Sequence, residues 1–251
     1  MRQADRLSEI LERLSDGGSV AVADLSRDLG ASVATVRRDL QLLEEQHLLA
    51  RTHGGAVARG VVYELPLRYK GARNLDQKRR IAAAVAATVA DGAAIGLTGG
   101  TTTTEVARAL ATRRVTIVTS ALNIASELAV RPNLKLLVTG GVARPESYEL
   151  VGPLAEGTLA ELNLDVAFVG VDGIDVEGGL STHHDVEAHT NRVLIDRARR
   201  AVVVADASKI ARVAFARICG IEQVDELVTD AGADPAAVRA LQDAGLRVTL
   251  A

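Results

Sequence analysis

The sequence contains little cysteine, few aromatic residues and no long apolar run. Its one cysteine among 251 residues, Cys219, excludes an intramolecular disulfide and fits a reducing cytosol. Aromatic residues make up 2% of the chain, so a core must be built mainly from aliphatic side chains. The longest largely apolar run, Ile81 to Ala90, is far too short to span a bilayer, and the N-terminal residues lack the apolar segment of a signal peptide. We therefore expect a soluble cytoplasmic protein.

An excess of positive charge is also absent. The net charge is −3, and the first 57 residues carry seven arginines against nine acidic residues, a balance of −2. Any binding of nucleic acid by this part of the chain must therefore rest on a local basic patch rather than on the overall field. Residues 58–80 differ, because seven basic residues there outnumber two acidic residues by five.

Residues 32–56 carry the most informative pattern in the first part of the chain. Apolar residues recur there at spacings of three and four, which predicts the buried face of a helix. These residues are Val33, Val36, Leu40 and Leu43. Ser32 stands immediately before them, in the position of a helix N-cap.

Polar side chains between these apolar residues face outward near the start of the same predicted helix. Arginine can pair with guanine edges, glutamine with adenine, and hydroxyl groups with phosphate, so this face has the chemistry to enter a DNA major groove. An arginine pair on a helix is, alternatively, often no more than solvated surface. The residues that we predict to bind DNA are Ser32, Thr35, Arg37, Arg38 and Gln41, together with Arg51 and His53 beyond the helix.

The elements around this helix predict a winged helix-turn-helix domain. Apolar periodicity predicts helices over about 2–14 and 22–29, and Gly30 permits a sharp turn into the next helix. A short strand over 48–52 and a turn over 53–55 would form the wing, beside the phosphates of bound DNA. The same pattern is compatible with a three-helix bundle that serves as a dimerisation module.

Together these residues resemble the N-terminal signature of DeoR-type bacterial transcriptional repressors. The residues that carry the resemblance are Leu25, Leu29, Ser32, Thr35, Val36, Arg37, Arg38, Asp39, Leu40, Leu43, Glu44, Leu49, Arg51, His53, Gly54, Gly55 and Ala56. One departure is His47, where the family usually has glycine before the wing. The resemblance implies a domain that binds double-stranded operator DNA.

The chain beyond the wing predicts a linker and a larger α/β domain. Residues 58–74 show no clean period and contain glycine, proline and basic residues, which is typical of an interdomain connector. From Leu75 onward, helices alternate with short apolar runs, which predicts a mostly parallel sheet covered by helices on both faces. We therefore predict an α/β fold in which a DNA-binding domain, 1–57, is joined by this linker to a sensor domain, 75–251. In such sheets, ligands bind beyond the carboxyl ends of the strands.

A loop rich in glycine and threonine follows one of the predicted strands. Gly99 and Gly100 precede Thr101 to Thr104, where a helix is predicted to begin. Glycine lets a backbone approach closely, and the free N–H groups and dipole of a helix favour an anion, so this loop is suited to bind phosphate. It lacks the lysine and spacing of a Walker A loop and the G-x-G-x-x-G dinucleotide pattern. The alternative is a plain strand-to-helix turn that is capped by threonine.

Three charged residues stand at other positions that suit a ligand site. Asp172 can accept hydrogen bonds from sugar hydroxyls, or it can cap a turn. Glu187 begins a predicted helix, where a carboxylate is favoured with or without a ligand. Lys209 stands just past a strand end, where it can reach a phosphate or carboxylate or simply be solvated. The residues that we predict to bind an effector are Gly99, Gly100, Thr101, Thr102, Thr103, Ser120, Gly141, Asp172, Glu187 and Lys209.

The loops of this second domain are similar to those of the DeoR-type sensor domain. The similarity rests on G-T-T-T at 100–103, L-V-G-P-L at 150–154, V-D-G-I at 171–174 and D-x-S-K at 206–209. It implies a fold similar to ribose-5-phosphate isomerase and glucosamine-6-phosphate deaminase, and an effector that is a phosphorylated sugar or a related intermediate. Departures from the family pattern stand at Thr98, Gly99, Ser120 and Asn191.

A histidine-rich stretch raises the hypothesis of a metal site. His183, His184 and Asp185 are followed by His189. Spacings of five or six residues place such side chains poorly on one helix face, and no cysteine or second acidic cluster joins them. We therefore predict no metal and no cofactor, and we assign the stretch to a polar loop that lines the effector pocket.

These observations predict a DNA-binding transcriptional regulator rather than an enzyme. Its expected role is to repress a carbohydrate-metabolism operon until a phosphorylated sugar or related intermediate releases it from DNA. The alternatives are a sugar-phosphate isomerase or deaminase with an appended DNA-binding module, and a protein-interaction scaffold. Because one winged domain makes few phosphate contacts, we expect a homodimer or higher homo-oligomer on paired half-sites, and no membrane partner.

Overall fold

The computed structural model describes residues 3–58 and 64–251, which fall into two compact units. The first unit is Met1–Arg73 and the second is Asn74–Ala251. This division lies at the end of the predicted linker, of which residues 59–63 are outside the described residues. None of the helices described is long and apolar enough to cross a membrane.

The N-terminal unit combines helices with a small antiparallel sheet. In chain order its elements are α1 (Gln3–Gly17), β1 (Ser19–Ala21), α2 (Val22–Asp28), α3 (Val33–Glu45), β2 (Ala50–Arg51), β3 (Gly55–Val57) and α4 (Leu67–Lys70). The strands lie in the order β1-β3-β2, with Ala56 of the central strand opposite Val20 and Arg51. The strand predicted over 48–52 is therefore present but shorter, and the hairpin of β2 and β3 forms the wing.

Aliphatic side chains from the three helices α1 to α3 fill the core of this unit. Its buried residues include Leu7, Ile10, Leu11, Leu14, Leu25, Leu29, Val36, Leu40 and Leu43. The predicted buried face of α3 was wrong at Val33, which is 42% exposed. The reason is its position, since Val33 begins the helix, one turn before the buried stripe that starts at Val36. Asp39 is buried instead, at 1% exposure.

The short helix α4 packs with the N-terminal unit. Its Tyr69 is buried in the core, and the Tyr69 hydroxyl donates a hydrogen bond to Oε1 of Gln46. The guanidinium of Arg68 lies over the Tyr69 ring, 5.0 Å from its centroid. Part of the stretch that the sequence pattern assigned to a connector is thus packed, and a single helical turn is too short to produce a recognisable period.

The C-terminal unit contains most of the regular structure. In chain order its elements are α5 (Leu75–Ala87), β4 (Ala94–Leu97), α6 (Thr101–Leu110), β5 (Thr116–Thr119), α7 (Leu122–Leu128), β6 (Lys135–Val138), β7 (Val142–Ala143), β8 (Leu150–Val151), α8 (Pro153–Ala160), β9 (Val166–Val169), β10 (Gly173–Asp175), β11 (Gly179–Thr182), α9 (Asp185–Asp196), β12 (Ala201–Val204), β13 (Ala216–Cys219), β14 (Glu226–Thr229), α10 (Pro235–Asp243) and β15 (Arg247–Leu250). Short 3-10 turns lie at Ala207–Lys209 and Ile221–Gln223.

Seven strands of this unit form one parallel sheet, in the order β15-β14-β12-β9-β4-β5-β6. Side chains alternate between its two faces, so Val203 belongs to a different core cluster from Val202 and Val204. One cluster packs α5, α6 and α7 on the sheet, and the other packs α8, α9 and α10. The prediction of an α/β fold with a mostly parallel sheet is confirmed. The carboxyl ends of all seven strands consequently lie at the same edge.

Two smaller antiparallel sheets lie outside the main sheet. One pairs β7 with β8, and the other has the order β10-β11-β13. These strands were not predicted from the sequence, because two to four residues leave little alternation to detect. Cys219 lies in β13, opposite Leu180 of β11, and burial raises the pKa of its thiol to about 11.

Candidate functional site

The start of helix α3 is built by a tight turn and a side-chain cap. Gly30 has a φ of +59°, which a residue without a Cβ adopts at no steric cost. Ser32 then has extended backbone, with φ −64° and ψ 150°, and its Oγ accepts a hydrogen bond from the Thr35 N–H at 3.1 Å. The N-cap predicted at Ser32 is thus present, and the Ser32 and Thr35 hydroxyls lie 2.9 Å apart.

The outward face of α3 carries the arginine pair. Arg37, Arg38 and Gln41 are exposed, and Thr35 is half-buried. Gln41 donates to Oε1 of Glu45 at 3.0 Å. Neither Arg37 nor Arg38 has a hydrogen-bond or ion-pair partner within residues 3–58 and 64–251. Both guanidinium groups are therefore available to bind phosphate or a base edge.

The wing is attached to the same helix through Glu44. Its Oε1 accepts the backbone N–H of Arg51 at 3.0 Å, and its Oε2 lies 4.0 Å from Nη1 of Arg51. The side chains of Arg51 and His53 are exposed. His47 has a φ of +60°, a left-handed conformation that explains why the family's usual glycine suits this position.

An ion pair between Arg6 and the buried Asp39 fixes α3 against α1, and the sequence pattern did not predict it. Arg6 donates to Asp39 from Nε at 2.6 Å and from Nη2 at 3.1 Å, and Nε2 of Gln3 lies 3.3 Å from Oδ1 of Asp39. The hydrogen bond to Asp39 raises the pKa of the Arg6 guanidinium. Asp39 directly follows the arginine pair in sequence, so this contact helps to set the orientation of the exposed face.

Replacing Asp39 with asparagine should destabilise the N-terminal unit by about 2 kcal/mol, because a neutral amide cannot balance the Arg6 charge beside the core. Urea unfolding followed by circular dichroism measures the change. Asp28→Asn is the matched control, since Asp28 pairs with the more exposed Arg13 and Arg27 and should be replaceable without a clear loss. Equal losses in the two variants would contradict a special role for the buried pair.

In the C-terminal unit, the glycine-threonine loop connects β4 to α6. Gly100 precedes the helix with a φ of +126°. Thr98, one of the departures from the family pattern, is buried. Its Oγ1 accepts a hydrogen bond from the Gly170 N–H at 2.9 Å, which joins the ends of β4 and β9. The Thr103 hydroxyl is fully buried and donates to the Gly100 carbonyl at 3.0 Å, whereas Thr102 is 7% exposed. Thr103 therefore supports the loop from within.

Glu149, which was not among the predicted site residues, lies directly on this loop. Its Oε1 accepts a hydrogen bond from the Gly99 N–H. A Cβ at Gly99 would lie 2.4 Å from Cγ of Glu149, so only glycine allows this approach. Ser120 is buried beside the same segment, and its carbonyl accepts the Leu150 N–H at 2.8 Å.

A chain of charged and hydroxyl groups joins the three predicted charged residues. Thr182 Oγ1 donates to Oε1 of Glu187 at 2.8 Å and lies 3.3 Å from Oδ2 of Asp172. Nζ of Lys209 lies 3.2 Å from Oδ1 of Asp172. At the other end, Arg144 donates to Oε2 of Glu187, and both side chains are buried. The structure thus brings Asp172, Glu187 and Lys209 together through Thr182.

Gly141 lies apart from this chain of contacts. It has a φ of +137° and approaches the backbone of Val151, in the β7–β8 pair. A Cβ there would lie 2.8 Å from the Val151 carbonyl oxygen, so the close packing against Val151 requires glycine at this position. Asn191, another departure from the family pattern, is buried on α9.

The turn that carries Lys209 is tied to the beginning of this unit. Oδ1 of Asp206 accepts hydrogen bonds from the Ser208 N–H at 3.1 Å and from Nδ2 of Asn74 at 3.0 Å. Burial alone would raise the pKa of Asp206, but the hydrogen bonds from Ser208 and the positive charge of Lys78 lower it overall. A carboxylate at Asp206 therefore holds the Lys209 turn in place.

The histidines of the 183–189 stretch separate in the structure. His183 Nε2 lies 3.9 Å from Asp172, and His189 Nε2 lies 3.6 Å from Oε2 of Glu156 on α8. Across the residues that the structure describes, no group of three or more His, Cys, Asp or Glu is placed to hold a metal ion. Of these histidines, His183 is the one that lies close to the charged chain.

The fold and these two sites define a two-domain protein in which one unit is a winged helix-turn-helix with an exposed arginine pair. Residues 6–59 match the family model of the DeoR-like helix-turn-helix domain, and residues 73–231 match the DeoR C terminal sensor domain. The chain belongs to the DeoR family of transcriptional regulators. Both the predicted resemblance and the predicted helix-turn-helix are confirmed.

Curated relatives match the chain over nearly its whole length. It is 37% identical over 250 residues to the HTH-type transcriptional regulator GlpR of Haloferax volcanii, a match that covers 99% of this chain and 98% of that protein. It is 32% identical over 251 residues to the Glycerol-3-phosphate regulon repressor of Escherichia coli, with 100% of each covered. The prediction of a regulator rather than an enzyme is confirmed by these relatives.

Among solved structures, ribose 5-phosphate isomerase A from Methanocaldococcus jannaschii is similar to part of the chain. The similarity covers 54% of this chain and 54% of that chain, with 22% sequence identity and a TM-score of 0.41.

Proposed function

We propose that the protein represses a carbohydrate-metabolism operon and that a phosphorylated sugar or related intermediate releases it from operator DNA. The name of one relative, the Glycerol-3-phosphate regulon repressor, supports both the repression and the phosphorylated effector. The sequence departures at Thr98, Ser120 and Asn191 leave the glycine-threonine loop and Lys209 in place.

The proposal that the protein binds operator DNA rests on the exposed pair Arg37 and Arg38. Both side chains lie on the outward face of α3, near its capped N-terminal end, and neither is neutralised by a described neighbour. This arrangement suits a recognition helix in a major groove, with the wing beside the backbone. The proposed DNA-binding residues are Ser32, Thr35, Arg37, Arg38, Gln41, Arg51 and His53.

The proposal that the protein binds an effector rests on the groups at the carboxyl edge of the parallel sheet. There the backbone from Gly100 to Thr102 offers N–H groups at the start of α6, and Lys209 offers a positive charge. Asp172 and Glu187 provide carboxylate oxygens that can accept hydrogen bonds from sugar hydroxyls. A ligand that combines an anion with hydroxyl groups fits this mixture of groups.

Repression and release also place requirements on assembly. One winged unit makes few contacts, so we propose a homodimer or higher homo-oligomer that binds paired half-sites in the cytoplasm. An effector releases DNA only if it binds the DNA-free state more tightly than the DNA-bound state. The coupling therefore lies in the difference between two affinities, which can be measured separately.

Replacing Lys209 with alanine should weaken the binding of a phosphorylated effector by about tenfold to a hundredfold, since a hydrogen bond to a charged group contributes about 1.5–3 kcal/mol. DNA binding without effector should not change. The measurement is gel-shift release of operator DNA by a panel of phosphorylated sugars, each compared with its unphosphorylated sugar. Lys135→Ala is the matched control, because Lys135 is exposed at the amino end of β6, the opposite edge of the sheet. Equal losses for phosphorylated and unphosphorylated ligands would argue against a phosphate contact.

A further inference from the structure

Glu149 is a buried carboxylate at the position where the glycine-threonine loop would receive an anion. The residue is 2% exposed, and its Oε1 accepts the Gly99 N–H. That N–H belongs to the loop that opens α6, a helix of ten residues. The carboxylate thus uses a donor that a bound phosphate would need.

The surroundings of Glu149 are unfavourable for a second negative charge. Its Oε2 is buried and has no hydrogen-bond partner among the residues that the structure describes. Burial, and then the negative charge of Glu187, raise the pKa of the Glu149 carboxyl well above its ordinary range. Arg144 attracts Glu149 but is already paired with Glu187, so one arginine serves two carboxylates.

We propose that Glu149 occupies the anion position of the loop when the effector is absent, and that the effector's phosphate takes its place. This inference rests on the proposed function, because it assumes a phosphorylated effector. In this arrangement Glu149 sets the affinity of the site, since the phosphate must displace the Glu149 carboxyl group from the Gly99 N–H. Arg144 is the nearby cation towards which the displaced carboxylate can turn.

Competition between Glu149 and the phosphate can be distinguished from a direct contact between Glu149 and the effector. If Glu149 accepted a hydrogen bond from a sugar hydroxyl, its removal would weaken the ligand. If it competes with the phosphate, its removal frees the Gly99 N–H and strengthens anion binding. Two substitutions separate these effects: Glu149→Ala empties the position, and Glu149→Gln keeps the shape with a side chain that cannot ionise.

Titration with inorganic phosphate by isothermal calorimetry tests the proposal on the full-length chain without DNA. Glu149→Ala should bind phosphate at least tenfold more tightly than the unmodified chain, and Glu149→Gln should show a smaller gain in the same direction. Glu161→Gln removes an exposed carboxylate at the C-terminal end of α8 and controls for net charge, so its affinity should match the unmodified chain.

Equal or weaker phosphate binding by both Glu149 variants would overturn the proposal, and so would the absence of phosphate binding in every variant. Thermal unfolding of each variant shows that it is folded, and the isosteric glutamine carries the test if the alanine variant is not. Failure of the proposed function has a different signature, since no phosphorylated sugar would then release DNA, whatever the phosphate affinity of Glu149→Ala.

Discussion

Alanine in place of Arg37 or Arg38 should abolish specific operator binding while the chain remains folded. Both side chains are exposed on α3 and lie outside the hydrophobic core to which Val36, Leu40 and Leu43 belong. A bidentate contact between arginine and guanine is worth about 1–3 kcal/mol, and each substitution occurs twice in a dimer on paired half-sites. The specific affinity should consequently fall by about a hundredfold or more.

Fluorescence anisotropy with operator DNA and with an unrelated duplex measures this loss and separates specific from non-specific binding. If one arginine contacts only phosphate, its removal should weaken both duplexes alike and should reduce the salt dependence. Arg239→Ala is the matched control, an exposed helical arginine on α10 of the other unit. Unchanged operator affinity in both α3 variants would refute the assignment of α3 as the recognition helix.

Methionine in place of Arg144 should destabilise the C-terminal unit by about 3 kcal/mol or more, because it leaves two buried carboxyl groups without their shared cation. Arg144 donates to Glu187 and attracts Glu149, and all three side chains are buried. Arg199→Met is the control, since Arg199 is 83% exposed and lies 3.8 Å from the half-exposed Asp165. Urea unfolding of the two variants should differ clearly.

The destabilisation by Arg144→Met should also depend on pH. The folded chain raises the pKa of Glu149 above its ordinary value of 4.5, and loss of the Arg144 charge raises it further. A carboxyl group with a raised folded pKa contributes stability that is present below its unfolded pKa and is lost as the pH rises through its folded pKa. The deficit of the variant should therefore be small near about pH 5 and larger near about pH 8. A deficit of the same size at both values would exclude the shared charge as its cause.

Periodicity was sufficient to predict the helices and the parallel strands, because buried strands such as Ala201–Val204 keep their apolar character over several consecutive residues. Periodicity could not distinguish Val33 from Asp39 on α3, since both fall near the apolar stripe and only α1, with Arg6, decides which is buried. The spacing of apolar residues within a helix does not show which other helix packs against it.

The charged groups around the loop were predicted only in part, for a related reason. Glu149 lies 50 residues from Gly99 in sequence, and Arg144 lies 43 residues from Glu187. The small β7–β8 pair places Arg144 beside Glu149, and its two-residue strands leave no periodic signal. One sequence feature could have pointed to Glu149. It directly precedes the apolar segment Leu150-Val151, which is followed by a glycine and a proline.

The buried position of Cys219 in β13 has a practical consequence for these experiments. With its thiol pKa at about 11, only about one thiol in ten thousand is ionised at pH 7, and the thiolate is the form that reacts with maleimides. A cysteine introduced at an exposed site of the N-terminal unit would thus react first, without prior removal of the native one. Fluorophores can then be attached selectively, so that DNA binding and effector release are followed on the same molecule.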